Sequence, residues 1–229
     1  MFEFLFIDLD DTVLDFKMQE DTAIRKTLLE VGIEPTQQVC DRYSRINKEH
    51  WKRMEIGEIT RDQVLHGRFR VLFDELGIQG DSRQTALNYM EHLSDGHFFL
   101  PGAEEALASL SKKYRLFLAS NGTARVQEKR LKSAGIGKYF EAIFISQTIG
   151  VNKPNKGFFD FCFASIPGFD PKKAMIVGDS PSSDILGGIN AGIATCWVNP
   201  NRRKGREAIK ADYQIESLAQ LEALLEQIG

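Results

Sequence analysis

The sequence predicts an α/β fold, a parallel sheet with an all-helical block inserted directly after the first strand. Three observations carry that expectation. Short apolar runs rich in Ile, Val, Leu and Phe recur at 4–9, 116–119, 142–145, 174–177 and 195–198. They are continuous rather than alternating, as strands covered on both faces are. Helical patterns separate them at 103–113, 124–134, 156–166 and 182–191, with Gly135, Gly168 and Gly192 where helices should stop. Strand alternating with helix implies a parallel sheet with right-handed crossovers. The rhythm breaks once, between Asp15 and about Phe98, where no convincing strand occurs. Helix-like segments fill that interval at 18–31, 37–54, 61–76 and 82–95, punctuated by Gly32, Gly57 and Gly77. The expected division is a core of 1–14 and 100–229 with a helical cap of 15–99. Ligands of parallel sheets sit beyond the carboxyl ends of the strands, so a block inserted after the first strand is expected to act as a lid.

Bulk properties narrow the function classes. The 229 residues are 42% hydrophobic and 27% charged, ordinary for a globular chain with a sizeable core. A net charge of −3 argues against a dedicated nucleic-acid binder. Cys40, Cys162 and Cys196 are far apart and form no Cys-x-x-Cys pair, which fits reduced thiols in a cytoplasmic protein. The first apolar run meets Glu3 and Asp8 without a preceding basic region, so no signal peptide is expected. No stretch approaches the roughly 20 apolar residues of a membrane span. The expectation is a cytoplasmic monomer or homodimer acting on a small molecule, without nucleic-acid or membrane partners.

Polar residues follow four of the strands. Asp8 and Asp10 stand at the end of the first apolar run, in Asp8-Leu9-Asp10-Asp11-Thr12. Residues i and i+2 of a strand share a side, and two crowded carboxylates need a cation or a shared proton. Ser120-Asn121-Gly122 follows the second strand, Lys153 the third, and Gly178-Asp179-Ser180 with Asp184 the fourth. Singly, these are turn acids, helix caps and a loop lysine. In this order, after four strands, they converge on one face of a sheet.

That set resembles the haloacid dehalogenase superfamily of aspartate-nucleophile phosphohydrolases, with their Rossmann-like core and helical cap. The pattern Asp8-x-Asp10-x-Thr12, with Gly178-Asp179 and Asp184, carries the likeness. The resemblance implies Mg²⁺, a hard cation preferring oxygen ligands, held by the carboxylates of Asp8 and Asp179 and the backbone carbonyl of Asp10. It implies Asp8 as nucleophile, forming an aspartyl-phosphate, and Asp10 as acid and then base. Ser120 and the Asn121 amide would bind phosphoryl oxygens. Lys153 would supply fixed positive charge and pair with Asp8. Asp184 would buttress the metal ligands, and Thr12 would hold the loop by hydrogen bonding. Asp11 and Asp15 read as local loop residues, and the basic run 201–206 as a solvated loop.

Asp10 argues against the dehalogenases themselves, which do without this second acid and the metal. The stretches 47–51, 66–69 and 183–192, with Cys196-Trp197, resemble bacterial pyrimidine 5′-nucleotidases, implying a nucleoside monophosphate substrate. A pyrimidine ring calls for an aromatic face and amide or guanidinium donors, which nominates Phe16, Asn47, Trp51 and Arg68. His50 and His66 read as packing or surface residues. The rival readings are a sugar-phosphate phosphatase or phosphomutase and, from another class, a phospho-accepting receiver-type switch.

Overall fold

The structure is a computed structural model that describes residues 1–204 and 208–228. The chain divides into two compact units, Met1–Phe16 with the chain from His97 onward, and Lys17–Gly96. The first strand, β1 (Phe4–Ile7), is followed by four long helices: α1 (Phe16–Glu30), α2 (Gln37–Glu55), α3 (Arg61–Leu76) and α4 (Ser82–Ser94). Then come α5 (Ala103–Leu110), β2 (Arg115–Ser120), α6 (Ala124–Ala134), β3 (Ala142–Ile145), α7 (Ser146–Ile149) and α8 (Lys156–Ala164). The chain closes with β4 (Ala174–Gly178), α9 (Leu186–Ala191), β5 (Ala194–Val198), β6 (Tyr213–Ile215) and α10 (Leu221–Ile228).

The sheet is the parallel α/β sheet that the sequence predicts, in the order β3-β2-β1-β4-β5-β6. Every pairing is parallel, with Phe6 of β1 opposite Phe117 of β2 and Ile176 of β4. β1 is therefore central. Chain order runs outward from it to β2 and β3 on one side, and to β4, β5 and β6 on the other, making a crevice at the strands' carboxyl ends.

Alternation along β1 separates two cores. Leu5 and Ile7 join Leu118, Met175 and Val177 in an aliphatic layer with Leu107, Leu131 and Leu221. Phe4 and Phe6 enter an aromatic layer with Phe117, Phe144, Phe158 and Phe159. Covering both faces explains the continuous apolar runs.

In the helical unit, Thr60 caps α3 reciprocally with Gln63, and the Asp81 carboxylate accepts from the amides of Arg83 and Gln84 to start α4. Two features differ from expectation. The helix expected over 182–191 opens as one π-type turn, Pro181–Ile185, before α9. β6 and α10 had no counterpart in the sequence reading; α10 is amphipathic and buries Leu221 and Leu225.

Candidate active site

β1 ends at Ile7, and the next seven residues fold back on themselves. The amides of Val13 and Leu14 donate to Leu9 O, and the Asp11 amide donates to Leu14 O. Asp11 takes a left-handed conformation, φ 57°, which short polar residues tolerate, and its carboxylate accepts from the Phe16 amide at 3.0 Å. Thr12 is fully buried, but its hydroxyl has no hydrogen-bond partner among the described residues. The expectation that Thr12 ties the loop by hydrogen bonding is thus corrected: backbone bonds hold the loop and Thr12 fills space.

Asp8 is 8% exposed and meets Lys153, which is 1% exposed. The Lys153 ammonium donates to Asp8 Oδ1 at 2.8 Å, to Asp184 Oδ1 at 2.6 Å and to the carbonyl of Ala119. All three of its donors are used. Burial disfavours the ammonium, yet the carboxylates of Asp184 and Asp8 outweigh that and hold its pKa above the ordinary lysine value. Burial pushes the Asp8 carboxyl up to about 8; Lys153 opposes the rise, while Asp184 and Asp10 add to it. Burial, reinforced by Asp184, Asp8 and Asp11, likewise raises Asp179 well above the carboxylate range.

Asp8, Asp179 and Asp184 each bring a carboxylate oxygen within 4.8 Å of the others. Lys153 is the single buried cation bonded to this trio among the described residues. Three close acids with one ammonium leave excess negative charge, and hard oxygen donors of this kind suit a divalent cation such as Mg²⁺.

Asn121 straps two loops together. Its side-chain oxygen accepts from the Lys153 amide at 2.9 Å, and its side-chain nitrogen donates to Lys153 O at 2.9 Å and Ser183 Oγ at 3.1 Å. Asp184 is oriented by the Ser180 amide, which donates to its Oδ2 at 3.0 Å. Gly178 makes room for it: a Cβ there would lie 2.2 Å from Asp184 Oδ2. Trp197 Nε1 donates to the Asp179 carbonyl at 2.9 Å, and Arg203 comes within 3.9 Å of the Asp179 carboxylate. Arg203 belongs to the basic run read as solvated, so part of that run approaches the acids; Gly205 and Arg206 lie outside the described residues.

Two residues absent from the sequence reading hold Asp10. Arg130, fully buried on α6, donates to Asp10 Oδ1, and Gln127 Nε2 donates to Asp10 Oδ2 at 2.8 Å and to Ser120 Oγ at 2.9 Å. Ser120 Oγ also accepts from the Gly122 amide at 3.1 Å. The Phe16 ring, nominated for a base, lies under the Arg130 guanidinium at 5.8 Å.

The other nominated residues belong to the helical unit. Arg68 donates to Asn47 Oδ1 at 2.7 Å and stacks over Tyr89 at 4.7 Å; Asn47 in turn donates to Glu20 at 2.6 Å. Trp51 carries the Arg61 guanidinium over its ring at 5.4 Å. His50 is buried with Nδ1 2.8 Å from Ile46 O, and His66 pairs with Asp62, consistent with packing and surface roles.

A parallel sheet whose central strand delivers a buried carboxylate to a lysine and two further acids defines a hydrolase-type α/β site. A family profile described as haloacid dehalogenase-like hydrolase matches residues 3–192, and the chain belongs to that family. It is an enzyme of the hydrolase class, and its nucleotidase relatives support a phosphatase. It is 35% identical to the HAD-hydrolase YfnB of Bacillus subtilis over 96% of this chain and 94% of that protein. It is 35% identical to the pyrimidine 5′-nucleotidase PynA of Streptococcus pneumoniae, over 96% and 93%. With the pyrimidine 5′-nucleotidase YjjG of Escherichia coli it shares 34% identity over 97% of both. The crystal structure of YfnB bound to magnesium superposes with a TM-score of 0.94 over 98% of each chain. An L-2-haloacid dehalogenase of Xanthobacter autotrophicus, at 16% identity and TM-score 0.81, shares the fold. No described helix is long and apolar enough to cross a membrane.

Proposed function

We propose that this chain is a Mg²⁺-dependent phosphomonoesterase working through an aspartyl-phosphate on Asp8, and that its substrates are pyrimidine nucleoside 5′-monophosphates, ribo or deoxy. The observation that carries the reading is Asp8 itself, a buried carboxylate held at 2.8 Å by a fully engaged lysine within a trio of acids. The substrate assignment is supported by the relatives PynA and YjjG, which carry the name pyrimidine 5′-nucleotidase.

The steps follow from the residues. An Asp8 oxygen attacks phosphorus while the ester P–O bond breaks, and the electron pair leaves with the nucleoside oxygen, which takes a proton from Asp10. Water then attacks the phosphorus of the aspartyl-phosphate and gives a proton to Asp10. The P–O bond to Asp8 breaks, its electrons return to the carboxylate, and inorganic phosphate departs. Ser120 and the Asn121 amide hold the phosphoryl oxygens, and Lys153 keeps a positive charge beside Asp8 throughout. Mg²⁺, when bound by the Asp8 and Asp179 carboxylates and the Asp10 carbonyl, neutralises phosphoryl charge. Asp184, bonded to Lys153 and to the Ser180 amide, fixes the cluster from behind. Choice of base is assigned to Phe16, Asn47, Trp51 and Arg68.

The test is a phosphate-release screen over nucleoside monophosphates and sugar phosphates with Mg²⁺. Pyrimidine monophosphates such as dUMP and UMP should lead, and chelation by EDTA should abolish release until Mg²⁺ is restored. Preference for a sugar phosphate would overturn the substrate, isomerisation without phosphate release would indicate a mutase, and metal-independent release would overturn the mechanism.

A further inference from the structure

Gln127 and Arg130 are three residues apart on α6 and so share one face of the helix. Both are buried, at 1% and 0% exposure. An apolar face would cost less there, because burying a guanidinium carries a large desolvation penalty. The Arg130 Nε and Nη2 have no hydrogen-bond partner among the described residues, which adds to that cost. Among the described residues, the carboxylate paired with Arg130 is Asp10. The packing of α6 does not require an arginine; the position of Asp10 does.

The three side chains interlock with little freedom. Arg130 Nη1 donates to Asp10 Oδ1 and, at 2.9 Å, to Gln127 Oε1. That second bond fixes which end of the Gln127 amide faces Asp10, since the reverse orientation would set oxygen against carboxylate. The Gln127 nitrogen then sends one hydrogen to Asp10 Oδ2 at 2.8 Å and the other to Ser120 Oγ at 2.9 Å. Each Asp10 oxygen thus has its own donor, which sets both the place and the plane of the carboxyl group. The same amide ties Asp10 to Ser120. Room for it exists because residue 122 is glycine: a Cβ there would lie 2.4 Å from Gln127 Nε2 and 2.5 Å from its Cδ.

We infer that Gln127 and Arg130 are a positioning pair that holds the Asp10 carboxyl in register with the Ser120 hydroxyl, so that proton carrier and phosphoryl donor are set by one amide. The inference rests on the acid–base role proposed for Asp10. Neither residue touches the reacting atoms; they act through Asp10, and their contribution grows with the basicity of the leaving oxygen.

The experiment compares kcat/KM for two aryl esters, phenyl phosphate and 2,4-dinitrophenyl phosphate, in wild type, D10N, R130M, R130K, Q127L and G122A, with Mg²⁺. The dinitrophenolate leaves without a proton and phenolate does not, and neither ester depends on base recognition. R130M should lower the phenyl phosphate value about 100-fold and Q127L about tenfold, in the range a misplaced catalytic group costs. R130M should change the dinitrophenyl value less than about threefold, whereas Q127L, which also releases Ser120, should lower it more than R130M does but less than it lowers the phenyl value. R130K should recover part of the loss, and G122A, which displaces Gln127, should repeat the selectivity of Q127L. If R130M does not fold, Q127L and G122A carry the same comparison. Equal losses on both esters in Q127L and G122A, while D10N still discriminates between them, would overturn the inference and leave the acid role standing. If D10N loses both esters equally, the acid role of Asp10 falls and the inference with it.

Discussion

Asp8 and Asp10 leave the same strand two residues apart, and each meets one buried cation, yet the two cations are used differently. Lys153 gives all three of its donors, to Asp8, Asp184 and the Ala119 carbonyl. Arg130 bonds through one terminal nitrogen, leaves its other two nitrogens without a hydrogen-bond partner among the described residues, and works beside Gln127. An ammonium is a compact charge and a guanidinium a planar one with directional donors. The lysine therefore neutralises the acid it touches, whereas the arginine and glutamine orient theirs. The difference matches a division of labour in which one carboxylate attacks phosphorus and the other moves a proton.

The largest expected effect separates the two acids outright. D8N should lower turnover by on the order of 10³-fold or more on every ester, good or poor leaving group alike. Dependence of the D8N loss on the leaving group would erase the contrast with Asp10. Next comes the cation. K153M should cost roughly 10²-fold in kcat on both aryl esters, because it removes a fixed charge needed whichever oxygen departs. Selective loss on phenyl phosphate would mean that Lys153 serves the proton step instead. The smallest effect reads the lysine's field from across α8. Burial pushes the Cys162 thiol up to about 12, with Lys153 opposing. Its unfolded value is near 9.0, so the native state keeps a proton that the unfolded state has lost between those pH values. Stability from this group is thus full below pH 9 and declines as pH rises toward 12. Denaturant titrations at stepped alkaline pH should show a shallower decline in K153M than in wild type, because Lys153, whose own pKa is raised, adds a second lost proton to the wild-type curve; identical slopes would mean that the fold does not hold the Lys153 proton.

The same contrast shows what sequence could and could not supply. Asp8, Ser120 and Asp179 stand at the ends of continuous apolar strands, and Lys153 follows β3 after the short α7, so their order along the chain is local. The four cap-like helices were equally readable, since Gly32, Gly57 and Gly77 separate strongly periodic segments. Gln127 and Arg130 reach Asp10 across 117 and 120 residues of chain. Within Ala124–Ala134 nothing local sets these two polar residues apart from their polar neighbours, and only folding turns their face inward. The one available signal was Gly122 in the loop before α6, whose need for space is visible only beside Gln127. β6 escaped for a simpler reason: of its three residues, only Ile215 is buried. The π-type turn at Pro181–Ile185 escaped because its spacing follows from Asp184 reaching back to the Ser180 amide.

Gly178 carries one more consequence. A methyl group at that position would occupy the space taken by the Asp184 carboxylate, 2.2 Å from Oδ2 and 2.7 Å from Cβ. The strand end is thus a mould whose depth admits an aspartate, and D184E would push its extra methylene against the same wall. Any redesign of the acid trio for another ion must therefore begin with the one residue there that has no side chain.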